Sequence, residues 1–351
     1  MKRTRVLIVD DSALMREVLT HVIDSANDLE VVGAAPDPLR AMELIRTKDP
    51  HVLTLDVEMP RMDGLTFLEQ LMRERPLPVV MVSSITEKGS QLAMRALELG
   101  AVDVVEKPKL DVRAGTFALK EELLSKIRAA SFAKVRTRAA PRISEPSQKG
   151  PKLPVAKAPL RSSNKVVAMG ASTGGTEALS VVLKGLPADA PAVLVVQHMP
   201  ARFTGAFAER LNRECKMHVR EARDGDLVRA GSVLLAPGDL HMRLARNGAS
   251  FVVRLTRDAP IGQHRPAVDA LFSSCAREAG QACVGVLLTG MGSDGAAGML
   301  ELKQAGAATI AQDEQTCVVF GMPREAIARG AVKEVLPLER ISAALMKAAA
   351  A

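Results

Sequence analysis

No stretch of this 351-residue sequence approaches the roughly 18 to 20 consecutive apolar residues needed to cross a bilayer. Nothing at the N-terminus has the order of a secretory signal. The four cysteines, Cys215, Cys275, Cys283 and Cys317, fit no CxxC metal spacing. Membrane insertion and a cysteine-based metal site are therefore not expected, and the sequence predicts a cytoplasmic, reduced protein that folds without disulfides. No GxxxxGK[ST] loop is present, which removes the commonest phosphate cradle of nucleotide-binding enzymes.

What is present is enough chain for about two domains with ample core. The formal net charge of +7 suggests nucleic acid as a partner, but the excess is local. Residues 134–165 hold nine Lys/Arg against Glu145 alone, together with five of the twenty prolines, so the remainder is close to neutral. That stretch has no apolar periodicity and reads as an extended, solvated linker, with an anionic contact surface as the alternative. No nucleic-acid partner is expected.

Before the linker, residues 1–133 alternate short apolar strands with amphipathic stretches. Strands are predicted over Arg5 to Asp10, Val31 to Ala35, His51 to Asp56, Pro78 to Ser83 and Val102 to Val105. Crossover helices are predicted over Leu14 to Ile23, Leu39 to Arg46, Leu65 to Met72 and Leu92 to Leu99, with a last one over Phe117 to Phe132. The pattern predicts an α/β, doubly wound parallel sheet. The alternation returns over 166–348, predicting a second doubly wound domain. It is interrupted between Val219 and Asp258 by a strand-rich patch punctuated at Gly231, Pro237-Gly238 and Asn247-Gly248, read as a β-hairpin insertion.

In the first domain Asp10 and Asp11 end one strand and Asp56 another, so a parallel sheet brings three acids to one carboxyl edge. Like charges so close call for a cation, and an all-oxygen site suits Mg²⁺. Ser83 and Lys107 close the fourth and fifth strands and add a hydroxyl and a cation suited to phosphoryl transfer. Each part has a plainer alternative: Asp11-Ser12 as a helix cap, Asp56 as the start of a turn. With Met59-Pro60, Asp63-Gly64, Ser83-Ser84 and Lys107-Pro108, residues 1 to about 125 resemble a two-component response-regulator receiver domain. The resemblance implies that Asp56 accepts phosphate from a histidine kinase. It also implies Mg²⁺ held by Asp11, Asp56 and the Glu58 carbonyl, Asp10 acting mainly through water, and Ser83 and Lys107 contacting the phosphoryl group. Val104 stands where such domains commonly carry an aromatic switch residue.

In the second domain Gly170-Ala171-Ser172-Thr173-Gly174-Gly175 follows an apolar strand and opens a helix, which presents Ser172 as a nucleophile. Two later strands run into His198 and toward Asp294. Acyl transfer needs a nucleophile, a base, a carboxylate that fixes the base and donors for the oxyanion. Ser172, His198 and Asp294 supply the first three, and the backbone N–H groups of Thr173 and Met291 are candidates for the last. The order Ser, His, Asp differs from the Ser, Asp, His order of α/β-hydrolases. An anion-binding loop at Ser172 is the alternative. His21, His51, His218, His241 and His264 read as structural loop histidines, and the Met199 and Met291 side chains as pocket wall.

The segments Gly170 to Gly175, Gln197-His198-Met199-Pro200, Phe203 to Asn212, Ala236-Pro237-Gly238, His264 to Asp269 and Thr289 to Gly295 resemble the catalytic domain of chemotaxis protein-glutamate methylesterases. The resemblance covers about 164 to 345, and the family's triad falls on Ser172, His198 and Asp294. It implies demethylation of glutamate γ-methyl esters on chemotaxis receptors, glutamine deamidation at such sites, and an unphosphorylated receiver that covers the active-site face. A methylesterase of another sensory system, a DNA-binding regulator and a non-catalytic adaptor are the competing expectations. The DNA-binding one requires a helix-turn-helix after the linker.

Overall fold

The computed structural model describes residues 3–59, 62–83, 86–107, 116–135 and 165–351. Most of the basic linker expected at 134–165 lies outside these residues, as do Pro60, Ser84 and Pro108. No helix among the described residues is long and apolar enough to cross a membrane, and all four cysteines are free.

The first sheet consists of β1 (Thr4–Val9), β2 (Leu29–Ala35), β3 (Val52–Asp56), β4 (Val79–Ser83) and β5 (Asp103–Glu106), all parallel in the order β2-β1-β3-β4-β5. The central strands read as unbroken apolar runs because helices cover both faces. Those helices are α1 (Ala13–Asp24), α2 (Pro38–Lys48), α3 (Gly64–Glu74), α4 (Glu87–Glu98) and α5 (Thr116–Ser131). Side chains at Ser12, Asp37, Asp63 and Thr86 each accept an N–H of the first turn that follows. The chain reverses direction across the sheet between β1 and β3, and open α/β sheets bind ligands at the carboxyl end of such a point.

The second sheet has seven strands, β14-β13-β12-β6-β7-β9-β8, again all parallel. Its strands are β6 (Val166–Ala171), β7 (Ala192–Gln197), β8 (His218–Glu221), β9 (Ser232–Leu235), β12 (Cys283–Leu287), β13 (Ala308–Gln312) and β14 (Glu334–Leu336). The patch read from sequence as one insertion divides in two. Residues 218–235 supply parallel edge strands of the main sheet, and only β10 (His241–Asn247) and β11 (Ser250–Thr256) form the antiparallel hairpin. β8 and β9 are four residues each, too short to show a period that separates sheet edge from hairpin. Helices α6 (Gly175–Lys184), α7 (Ala201–Glu214), α8 (Val268–Glu278), α9 (Ala296–Gln304), α10 (Met322–Ala328) and α11 (Leu338–Ala350) complete the layers. From residue 165 on the chain forms a parallel α/β sheet, not a helix-turn-helix. Phe203, Phe207 and Phe272 are wholly buried among aliphatic side chains, each stabilising by about 1.5–3 kcal/mol relative to exposure. Here the switch point falls between β6 and β12.

The two sheets are joined through α4, which packs on α7. Ser90 donates to the Arg202 carbonyl at 3.2 Å, and Glu98 lies 3.0 Å from the buried Arg210 guanidinium. At the edge of the first sheet Asp103 of β5 accepts a hydrogen bond from the Thr173 hydroxyl at 2.9 Å, and the Lys134 N–H donates to the Val318 carbonyl at 3.1 Å.

Candidate active site and phosphoacceptor pocket

At the first switch point Asp10, Asp11 and Asp56 present carboxylate oxygens within 4.8 Å of one another. Lys107 reaches across from the end of β5, its Nζ 2.6 Å from Asp56 and 3.0 Å from Asp10. Burial pushes the Asp56 carboxyl up to about 6 in spite of that ammonium. Burial also pulls Lys107 down, but the two carboxylates outweigh it and raise the ammonium above its usual range. Asp10 Oδ2 is buried and pairs with the Lys107 ammonium without an aligned hydrogen bond, and the donor set is all oxygen, so these residues fit a divalent cation such as Mg²⁺. Glu58 adjoins the cluster through its N–H, which donates to Asp56 Oδ1 at 3.2 Å. Of the Asp11-Ser12 pair only Ser12 caps α1, its hydroxyl accepting the Met15 N–H, and its own N–H donates to Asp10. Ser83 sits at the end of β4, where its hydroxyl donates to the Gly89 carbonyl of α4 at 3.1 Å. Gly64 permits the close approach of α3, because a Cβ there would stand 2.1 Å from the Asp56 carbonyl oxygen.

At the second switch point three loops converge. Ser172 follows β6, His198 follows β7, and Asp294 lies in the loop after β12. The His198 N–H donates to the Ala171 carbonyl at 3.1 Å and the Ser172 N–H to the Thr289 carbonyl at 3.0 Å. Gln197 Nε2 donates to the Ser172 carbonyl at 2.9 Å. The Thr289 hydroxyl donates to the Thr173 carbonyl at 3.0 Å. These bonds pin the Ser172 loop from both neighbouring strands.

His198 and Asp294 are both buried and meet through His198 Nε2 and Asp294 Oδ2 at 2.7 Å. The same carboxylate accepts the Val268 and Asp269 N–H groups that open α8, at 2.7 and 2.9 Å. Burial alone would raise its pKa. The His198 hydrogen bond and the two amides outweigh that and hold Asp294 below its usual range, where an ionised partner is available to an imidazolium. No hydrogen bond joins Ser172 to His198, whose Nδ1 is buried without a partner. Nδ1 is thus the ring nitrogen that Asp294 leaves unengaged. Among the described residues the Thr173 and Met291 N–H groups donate no hydrogen bond. Gly290 lies against Ser172: a Cβ on it would stand 2.7 Å from Ser172 Cβ.

Sequence reasoning missed three features. His264, read as an ordinary loop histidine, stacks on His198 with ring centroids 3.8 Å apart. Asp103 reaches Thr173, beside Ser172, from the other sheet, which nothing local at Asp103 signals. Gly290, Gly292 and Gly295 have the spacing of a dinucleotide-binding loop. Here that glycine density serves packing, since a Cβ at Gly295 would strike Val268 and Leu287.

Two family models match the chain, a response regulator receiver domain over residues 6–113 and CheB methylesterase over 167–345. A relative from Chromohalobacter salexigens, described as protein-glutamate methylesterase/protein-glutamine glutaminase, is 56% identical over 349 residues, 99% of this chain and 97% of its own. The chain belongs to the CheB methylesterase family. A protein from Bordetella parapertussis with the same description is 58% identical over 344 residues, covering 97% of this chain and 96% of its own. The crystal structure of the CheB methylesterase catalytic domain from Thermotoga maritima is 40% identical, with a TM-score of 0.51, over 52% of this chain and 97% of that one. The α/β architecture, the receiver and the hydrolase class expected from sequence therefore hold.

Proposed function

We propose that this chain hydrolyses glutamate γ-methyl esters on the cytoplasmic helices of chemotaxis receptors, and deamidates glutamines there by the same acyl transfer. The observation that carries the reading is the buried His198–Asp294 pair beside Ser172 at a topological switch point. His198 Nδ1 takes the Ser172 proton as Oγ bonds to the ester carbonyl carbon. Asp294 holds the other ring nitrogen and balances the imidazolium charge. The unengaged N–H groups of Thr173 and Met291 receive the oxyanion. The carbon–methoxy bond breaks, methoxide takes the proton from His198 and leaves as methanol, and water repeats the sequence on the acyl-serine. For an amide, ammonia leaves instead.

The domain division, with a receiver over 1–133, a basic linker over 134–165 and a catalytic domain over 166–348, belongs to the same reading. Asp56 is the phosphoacceptor and a histidine kinase the donor. Asp10, Asp11 and Asp56, with Glu58 beside them, would hold Mg²⁺, which supplies positive charge against phosphoryl oxygens. Ser83 and Lys107 contact the phosphoryl group. In the unphosphorylated protein Asp103 holds Thr173 by its hydroxyl and α4 covers α7, so the receiver restrains the loop that must accept substrate. Drawing Ser83 and Lys107 toward a phosphoryl group removes the Ser83–Gly89 bond and shifts α4. In Ser172→Ala, methanol release from methylated receptor membranes should fall by about 10³-fold or more. Release above a tenth of the wild-type rate would overturn the assignment of the nucleophile.

A further inference from the structure

The His198 ring is held by a single hydrogen bond, Nε2 to Asp294, and its Nδ1 bonds to nothing. One bond at one corner leaves the plane of an imidazole underdetermined. The missing constraint comes from His264, whose ring lies 3.8 Å above it with an interplanar angle of 8°. A ring stacked so closely on one face blocks rotation of the other out of plane.

The loop carrying His264 is built to hold it there. The Ile261 and His264 backbones exchange hydrogen bonds of 3.1 and 2.9 Å. Between them Gln263 sits at φ 74°, a conformation that costs a non-glycine residue energy and clusters at functional sites. Arg265 ties the far side of the loop to Asp239, which accepts from its Nε at 3.0 Å. The Asp239 N–H returns a bond to the Arg265 carbonyl at 3.1 Å.

We propose that His264 is a positioning residue for the esterase: its ring, stacked on His198, holds that base in the plane that turns Nδ1 toward Ser172. It also meets the transient His198 cation with a neutral aromatic face. This rests on the reading of His198 as general base. Burial, and then the neighbouring His198, push the His264 pKa down to about 3, so the upper ring stays uncharged while the lower one takes up and releases a proton. A neutral π face toward a cation is attractive, whereas a second cation would repel it. Neither nitrogen of His264 is asked to transfer a proton, which separates this role from a second general base.

The test uses full-length protein with Mg²⁺, a small-molecule phosphodonor and methylated receptor membranes. Steady-state methanol release is measured for His264→Phe, His264→Leu and His264→Ala beside His198→Ala. The Phe variant keeps a neutral stacking ring and should retain kcat within about fivefold. Leu and Ala should lower kcat by about 10- to 100-fold, a part of the roughly 10²- to 10⁴-fold that general acid–base catalysis supplies, while KM changes by less than about threefold. A Phe variant as slow as Ala would overturn the stacking role and assign chemistry to the His264 nitrogens. A Leu variant as fast as Phe would reduce the role to bulk and overturn it too. If Ala alone shifts the melting curve, the Phe and Leu pair decides. If His198→Ala stays active, the underlying reading of the site has failed; if only the His264 series is flat, this proposal has.

Discussion

Reversing the charge of Glu98 should switch on the unphosphorylated protein. Glu98 closes α4 and faces Arg210 of α7 across the joint between the two sheets, 3.0 Å apart. The Arg210 side chain is only 3% exposed and is held by Glu177 and Glu214 on its own side. It therefore stays where it is when Glu98 changes. Loss of a partly exposed ion pair removes up to about 1 kcal/mol. Two like charges near 4 Å repel by about 4 kcal/mol at an effective dielectric of 20. A lysine at 98 can swing toward water, so about 1–2 kcal/mol of that repulsion is expected to persist. A total of about 2 kcal/mol moves the covered-to-open equilibrium roughly 30-fold. Glu98→Lys should raise methanol release without phosphodonor by roughly tenfold or more, up to the activated rate, and Glu98→Gln by a few-fold. Neither change touches Ser172, His198 or Asp56, so the activated rates should match wild type. A Glu98→Lys protein with wild-type folding and a basal rate no higher than wild type would refute the restraint through α4 and α7.

Asp294→Asn should lower kcat by about 10⁴-fold, the cost of losing the charge that fixes a catalytic histidine, read from methanol release. Gly290→Ala should lower kcat by about 10²-fold, because the new Cβ would stand 2.7 Å from Ser172 Cβ and displace the nucleophile. A near-native rate in either variant contradicts the geometry given above. Asp269, raised by burial to about 6 from an ordinary 3.8, binds a proton more readily folded than unfolded. Stability from this group is therefore full below about pH 4 and lost as pH rises through about 6. Asp269→Asn should stabilise the protein by up to about 3 kcal/mol at pH 7, less what solvent screening removes, and by almost nothing at pH 4 in urea melts.

Most of the strands were legible because parallel strands buried on both faces must be written as apolar runs, as in Val6–Val9, Val79–Val82 and Val193–Val196. Their ends were legible too, since Asp56 closes such a run, Ser172 follows one, and His198 stands one residue beyond another. The assignment of β8 and β9 was not, because His218–Glu221 and Ser232–Leu235 look alike as hairpin or as sheet edge. What joins the sheets was also hidden. Glu98 with Arg210 and Asp103 with Thr173 are ordinary surface-type residues in their own segments, and only tertiary packing buries them together. His264 failed for the same reason: a histidine in a turn carries no mark of the ring it will stack on.

The measurement that bears most directly on the account is methanol release from methylated receptor membranes by wild type, Ser172→Ala and Asp56→Asn, each with and without a phosphodonor. Release by wild type should rise with phosphodonor, Asp56→Asn should give a low rate that does not respond to it, and Ser172→Ala should give none above background. Release by Ser172→Ala at the wild-type rate, or equal stimulation of Asp56→Asn, would contradict the account.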